Sequence, residues 1–264
     1  MVYILVCNLL LYFNPKIIVV VGGLAIDAKL HYPEYLFIDN QTGILYVSSY
    51  SLDYRKIDIS SGIISSGPRR ADSIFVGPNG EQWMTYYSRI YYMTPSGSVS
   101  TFAGTGSNTW KGEGVHKSAQ GFYYAFYVWV DYDAVIYDQY DVYVSTVFRI
   151  FRISHSTGNT YTIVGTGSWN SNGNFGKVGN QTNLKDVRSF CVIPSTGDML
   201  IANTNHHNIL WWHKNTQIVD YVTGGEGDTS GVALADGRFG YITQIALDAM
   251  GNILFTDTSN HKIH

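Results

Sequence analysis

The chain predicts an all-β fold of small sheets set radially around an axis, because three markers recur along it in one fixed order. The first is an apolar strand ending on a small residue: Leu45-Tyr46-Val47-Ser48, Gln82-Trp83-Met84-Thr85, Val142-Tyr143-Val144-Ser145, Met199-Leu200-Ile201-Ala202 and Ile253-Leu254-Phe255-Thr256. The second is a basic or polar residue followed by isoleucine: Lys56-Ile57, Arg89-Ile90, Arg149-Ile150, Asn208-Ile209 and Lys262-Ile263. The third is an apolar run into glycine, at 19–23, 63–67, 101–106, 163–167 and 222–225. The small residues fall at 48, 85, 145, 202 and 256, in steps of 37, 60, 57 and 54. Uneven steps argue against a solenoid of fixed coil length and for blades joined by variable loops. Units of roughly 40–60 residues hold the four strands of a β-propeller blade. A generic β-sandwich needs no internal repeat. The expected fold is a β-propeller of four-stranded antiparallel blades, five or six in number.

Each element then follows in order. Residues 1–13, MVYILVCNLLLYF, carry no charge and are mostly apolar. They read either as a signal or membrane anchor or as the remnant of a preceding blade. They are short of the roughly 20 residues a spanning helix needs, and no basic leader precedes them. The expected boundaries are an apolar segment at 1–15 and a propeller at 16–264. Ile17–Gly22 reads as the last strand of a blade, and Tyr35–Asp39 as the first strand of the next. Pro78-Asn79-Gly80 marks a hairpin turn. A long loop at 107–120 leads into an aromatic stretch at 122–143, expected to pack between blades, with an exposed contact patch as the alternative. Another Gly/Asn-rich loop spans 168–179, and Trp211-Trp212 poses the same choice.

The final unit, 225–264, is the most complete. Gly251-Asn252 between two alternating apolar runs signals a tight hairpin, and Asp257-Thr258-Ser259-Asn260-His261 forms a polar turn before Lys262-Ile263. Three such strands cannot bury both faces alone. This unit lacks a glycine-ended fourth strand, so Ile17–Gly22 is expected to supply it, closing a ring of five blades and pairing the exposed edges.

These residues resemble the NHL-repeat β-propellers, strongly over 195–264 and through degenerate copies upstream. The resemblance rests on Asp248, Gly251-Asn252, Asp257-Thr258 and Asn260-His261-Lys262-Ile263, with a second copy at Gly197–Ile209 in which Asn203–Ile209 stands in for the Asp-Thr turn. Tyr86–Arg89 and Thr146–Arg149 carry shortened turns without the Asn-His pair, and Ser49–Lys56 reads as a longer one. The resemblance implies six blades as the usual number. It also implies kinship in fold with amidating lyases and sugar lactonases, which hold a metal on the propeller axis.

Composition narrows function. Charged residues make up 14% and aromatics 15% of 264 residues, with 21 Tyr and 27 Gly, which suits strands and turns rather than disorder. A net charge of −3 offers no basic face, so nucleic acid is not an expected partner. A membrane role is expected only if residues 1–13 act as an anchor, and a secreted or membrane-attached location rests on the same segment. Cys7 and Cys191 stand apart, without zinc spacing. Asn40-Gln41-Thr42 and Asn180-Gln181-Thr182 are glycosylation sequons of the kind chance supplies. Gly104-Thr105-Gly106 and Gly165-Thr166-Gly167 have no following Lys-Ser/Thr or helix, so they read as strand-ending turns. His206, His207, His213, His261 and His264 do not recur at equivalent blade positions, as an axial metal site would require. No metal and no cofactor is expected.

The favoured function is a non-catalytic binding scaffold presenting rim loops to a protein partner or other ligand, where loops vary freely over rigid blades. The alternative is a metal-dependent lyase or lactonase with an axial site. The expected contact residues are Trp110, Lys111, Trp169, Asn170 and His206, all in predicted rim loops or turns.

Overall fold

A computed structural model describes residues 23–28, 30, 33–49, 53–132, 140–168, 175–225, 237–248 and 250–264. Five antiparallel sheets follow one another along the chain. The first holds β1 (Pro33–Asp39), β2 (Ile44–Ser49), β3 (Asp53–Asp58) and β4 (Ile64–Arg70). The second holds β5 (Ser73–Val76), β6 (Gln82–Tyr86), β7 (Arg89–Met93) and β8 (Val99–Ala103). The third has β10 (Tyr127–Tyr132), β11 (Tyr140–Ser145), β12 (Ile150–Ile153) and β13 (Asn159–Val164), with β9 (Val115–His116) added at its outer edge. The fourth has β15 (Val187–Val192), β16 (Met199–Asn203), β17 (Asn208–Trp212) and β18 (Ile218–Gly224), with β14 (Lys177–Val178) at its outer edge. The fifth has β19 (Ile242–Leu247), β20 (Ile253–Asp257) and β21 (Lys262–Ile263).

Side-chain hydrogen bonds place the first strand of each sheet at the centre. The Ser73 hydroxyl of β5 accepts Val128 N–H of β10 at 3.1 Å, and the Ser189 hydroxyl of β15 accepts Ile245 N–H of β19 at 3.0 Å. Strand β5 also packs on β1, and β10 on β15. Gln244 of β19 donates to the Leu36 carbonyl of β1 at 2.9 Å, across 208 residues of chain, and the ring closes. The molecule is a five-bladed β-propeller. Its apolar cores lie between successive blades: Ile74 and Met84 against Tyr46 and Tyr54, Phe75 and Trp83 against Val130 and Val144, Tyr143 and Ile150 against Phe190 and Ile201, and Leu200 and Ile209 against Phe239 and Phe255. Each fully buried side chain of this size contributes roughly 1.5–3 kcal/mol. No blade can bury both of its faces without two neighbours.

The three sequence markers are three places in a blade. The small residues end the second strand, where the Ser48, Thr85 and Thr256 hydroxyls accept the N–H groups of Tyr35, Ser73 and Gln244 from the adjoining inner strand. Ile90, Ile150, Ile209 and Ile263 stand opposite Thr85, Ser145, Ala202 and Thr256 on the third strand. The first blade departs from the expected register. Arg55 pairs with Val47, so Tyr54 rather than Ile57 fills the equivalent position, and three residues separate β2 from β3, against two in the second blade and four in the third, fourth and fifth. Gly67 lies inside β4, where a Cβ would enter the Tyr54 ring, so this glycine makes room for an aromatic instead of ending a strand. Gly104 and Gly165 do end theirs. Both have positive φ, +94° and +109°, and a Cβ on either would collide with the carbonyl of Ser88 or Phe148.

Outer edges are covered by the incoming chain. Leu24 bridges Ile63 beside β4, β9 pairs with β13, and β14 pairs with β18. The device satisfies backbone groups that an open edge would expose. The expected closing strand Ile17–Gly22, like the apolar segment 1–15, lies outside the described residues. No helix among the described residues is long and apolar enough to cross a membrane.

Candidate ligand-binding site

One end of the ring gathers two kinds of loop. Connections between blades deliver Glu34 at the start of β1, Asp72 before β5, Phe126 before β10, and Asp186 and Arg188 at the start of β15. Turns between second and third strands deliver Tyr86-Tyr87, Val147 and Asn205. Together they enclose a cavity of about 640 Å³ at the axis. Aromatic residues follow two of the lining residues in sequence, Tyr35 after Glu34 and Tyr127 after Phe126. The hydroxyl of buried Tyr35 donates to the Arg188 carbonyl at 2.9 Å, reaching from the first blade to the fourth. The Tyr127 ring lies 6.1 Å from Tyr35 and 5.2 Å from Phe190, so side chains of three inner strands meet across the axis.

The wall toward the second and third blades is a run of tyrosines. Ring centroids step 4.6 Å from Tyr86 to Tyr87, 6.5 Å to Tyr124 and 5.6 Å to Tyr123, and Tyr124 stacks on Phe126 with planes 7° apart. Tyr87, Tyr123 and Tyr124 are exposed, whereas Phe122, Val128, Val130 and Tyr143 are buried. The described part of the aromatic stretch packs between blades, as expected, and also exposes Tyr123 and Tyr124 at the surface. Tyr87, Tyr124 and Asp186 adopt positive φ of 53°, 53° and 60°. Bulky residues rarely take this conformation, and such strain concentrates where ligands are held.

The opposite side is charged. Asp186 accepts from Arg188 Nε at 3.1 Å, and the Arg188 guanidinium lies 4.2 Å from the Phe126 ring centroid. Burial pushes the Asp72 carboxyl up to about 6, although Oδ2 accepts the Tyr87 N–H at 3.1 Å. Burial also raises Glu34, with the Asp72 charge adding to the effect and Arg188 opposing it. Around Arg188, burial works against the charge, but Tyr35, Asp186 and Glu34 hold it in place.

Two further hollows adjoin this one. A cavity of about 350 Å³ shares Tyr123 and contains Trp110, Phe148 and Arg149. There the Arg149 guanidinium sits 4.1 Å from the Trp110 ring centroid and donates to the Thr166 carbonyl at 2.7 Å. A groove of about 770 Å³ between β1 and the fifth blade shares Glu34. Three of its hydroxyls satisfy one another: that of Thr243 lies 2.9 Å from that of Thr256 and 2.7 Å from that of Thr258.

Of the residues expected from sequence, Trp110 lines the smaller cavity. Lys111 is exposed nearby, its N–H donating to Gln120 at 2.8 Å. His206 lies in the turn before β17, its Nδ1 3.0 Å from Asn203 Nδ2, and its neighbour Asn205 reaches the axial cavity. Trp169 and Asn170 lie outside the described residues. Tyr86, Tyr87, Glu34, Asp72 and Arg188 were not expected. The double tyrosine did carry a signal, since it occupies a turn where the regular units have Asp or Asn. The two carboxylates carried none, because only ring closure brings positions 34 and 72 beside 188. Among the described residues no three His, Cys, Asp or Glu side chains group as metal ligands would.

The fold and site together define a β-propeller with a cavity at one end of the ring, lined by four of its blades. No family model matches the chain, and no curated protein does either. Solved structures do match. An auxiliary nutrient binding protein from Bacteroides thetaiotaomicron is 12% identical with a TM-score of 0.59, over 96% of this chain and 74% of that one. The luciferin-regenerating enzyme is 10% identical with a TM-score of 0.58, over 92% of this chain and 75% of that one. A chain of the nidogen/laminin complex is 10% identical with a TM-score of 0.56, over 88% and 74%. At these identities the likeness is one of fold.

Proposed function

We propose that this propeller, residues 16–264, is a non-catalytic binding scaffold that seats a protein partner or other ligand over its axial cavity. The observation that carries this reading is the convergence of strained, exposed tyrosines and half-buried carboxylates from four blades on one hollow. A volume of about 640 Å³ suits a small ligand or an inserted side chain. Exposed Tyr, Trp and Arg are the residues that anchor interfaces. Trp110, joined to the cavity through Tyr123, extends the contact surface outward, Lys111 and His206 are its proposed rim contacts, and Trp169 and Asn170 are proposed contacts on sequence grounds alone. Binding is also the role in the names of two similar folds, the nutrient binding protein and the nidogen/laminin complex. The repeat class that fits best is the NHL type, on the strength of Asp248, Gly251-Asn252 and Asp257–Ile263.

The catalytic alternative needs metal ligands facing the axis from several blades. Tyr35, Tyr127 and Phe190 occupy that space. The test is a thermal-shift screen of wild type and a Tyr87→Ala/Tyr124→Ala variant against one library of peptides and small polar molecules. Compounds that stabilise the wild type should leave the variant unshifted. Equal shifts in both proteins would place binding elsewhere.

A further inference from the structure

The charges lining the axial cavity do not balance locally. Three carboxylates, Glu34, Asp72 and Asp186, face two cations, Arg70 and Arg188; Asp186 takes the hydrogen bond from Arg188, whose charge also acts on Glu34 and Asp72. Arg70 is exposed at the mouth, where it is hydrogen-bonded to Tyr86. Glu34 and Asp72 remain. Among the described residues the Glu34 side chain has no hydrogen bond or ion pair, and Asp72 accepts only the Tyr87 N–H, through Oδ2. Both carboxylates are half-buried, both line the same cavity, and the Asp72 charge adds to the upward shift of Glu34. A hydroxyl donor would fill their lone pairs and leave that repulsion standing, whereas a cation relieves both. The facing tyrosines suit the same guest, because ring faces attract cations within about 6 Å. This chain already uses that contact, with Arg188 on Phe126 and Arg149 on Trp110.

We infer that the axial cavity takes a cationic group, an ammonium or guanidinium, held between Glu34 and Asp72 with its alkyl stem against Tyr87 and Tyr124. The inference rests on the reading of the propeller as a binding scaffold. The group belongs either to a free amine or to a Lys or Arg side chain of a peptide.

The test titrates the whole chain, at low salt and near neutral pH, with n-butylammonium, a short peptide carrying one Lys, its Gln counterpart, and maltose as a neutral polyol. Binding is followed by NMR shifts and tyrosine fluorescence. Butylammonium and the Lys peptide should bind saturably, and the Gln peptide and maltose should not. Glu34→Gln/Asp72→Asn should weaken both cations at least about tenfold, as loss of a paired, desolvated charge does. Asp72→Asn alone should weaken them less, and it serves as the reference if the double variant misfolds. A Lys peptide binding more tightly than butylammonium identifies a basic side chain as the natural guest, and equal affinities identify a free amine. Maltose binding without the amines overturns the cationic guest while the scaffold reading stands. Cation binding unchanged in the variants, or no binding by any probe, overturns the inference. The tyrosine variant screened above then judges the scaffold by itself.

Discussion

The turn between second and third strands is built in two ways, and the contrast between the fourth blade and the second shows where this molecule keeps its chemistry. In the fourth blade that turn opens on fully buried Asn203. Its side chain accepts Lys185 N–H at 2.8 Å and donates to Asn208 at 3.0 Å. In the fifth blade Asp257 does the same work, accepting Gly240 N–H at 2.9 Å and the Asn260 amide at 2.8 Å. In the second blade the corresponding residue is Tyr86, followed by the exposed and strained Tyr87. The third blade is intermediate, its Thr146 hydroxyl bridging the Arg149 backbone. Where the repeat is regular, its polar side chains satisfy the protein's own backbone and have little left for a ligand. Where it lapses, aromatic faces stand open.

The sharpest way to break this comparison is at Asn203. Asn203→Leu strands a buried N–H and a buried amide partner, so it should cost about 2–4 kcal/mol, read as a lower urea midpoint. Stability within experimental error of wild type would show that the turn is not held by this side chain. Gly165→Ala should follow at about 2 kcal/mol, because φ of +109° and the Phe148 carbonyl both oppose a Cβ. The tyrosine turn predicts the reverse. Tyr87→Gly and Tyr124→Gly relieve left-handed backbone, which costs about 1–2 kcal/mol in non-glycine residues. The melting temperature should therefore not fall, while binding at the axial cavity is lost. A clear loss of stability would make these tyrosines structural.

The smallest effect is a pH dependence. The Asp72 carboxyl stands at about 6 in the folded protein, above the ordinary carboxylate value, so folding favours its protonated form. That contribution is present at acid pH and is lost as pH rises through about 6. Glu34 shifts in the same direction. Asp186, Arg188, Arg70 and the tyrosines make up the rest of the charged and titratable surroundings. Asp72→Asn should flatten the fall in urea midpoint between about pH 4 and about pH 6. An unchanged slope would show that Asp72 is solvated.

The blades were legible because they are local. Alternation of apolar residues, turn glycines and the small residue ending each second strand follow from backbone sterics and pleat geometry, which act over a few neighbours. The double tyrosine at 86–87 was legible as a departure from that pattern. The first blade's register was less so, since Tyr54 and Gly67 fit one another only across a strand pair. Ring closure through Gln244 and Leu36, the hydrogen bond from Tyr35 to the Arg188 carbonyl, and the meeting of Glu34, Asp72 and Arg188 belonged to the tertiary structure alone. Their partners are separated by tens to hundreds of residues, and a side chain's charge state depends on what the fold packs around it. Sequence by itself determined the kind of blade and its repetition, while three-dimensional closure decided which side chains share a cavity.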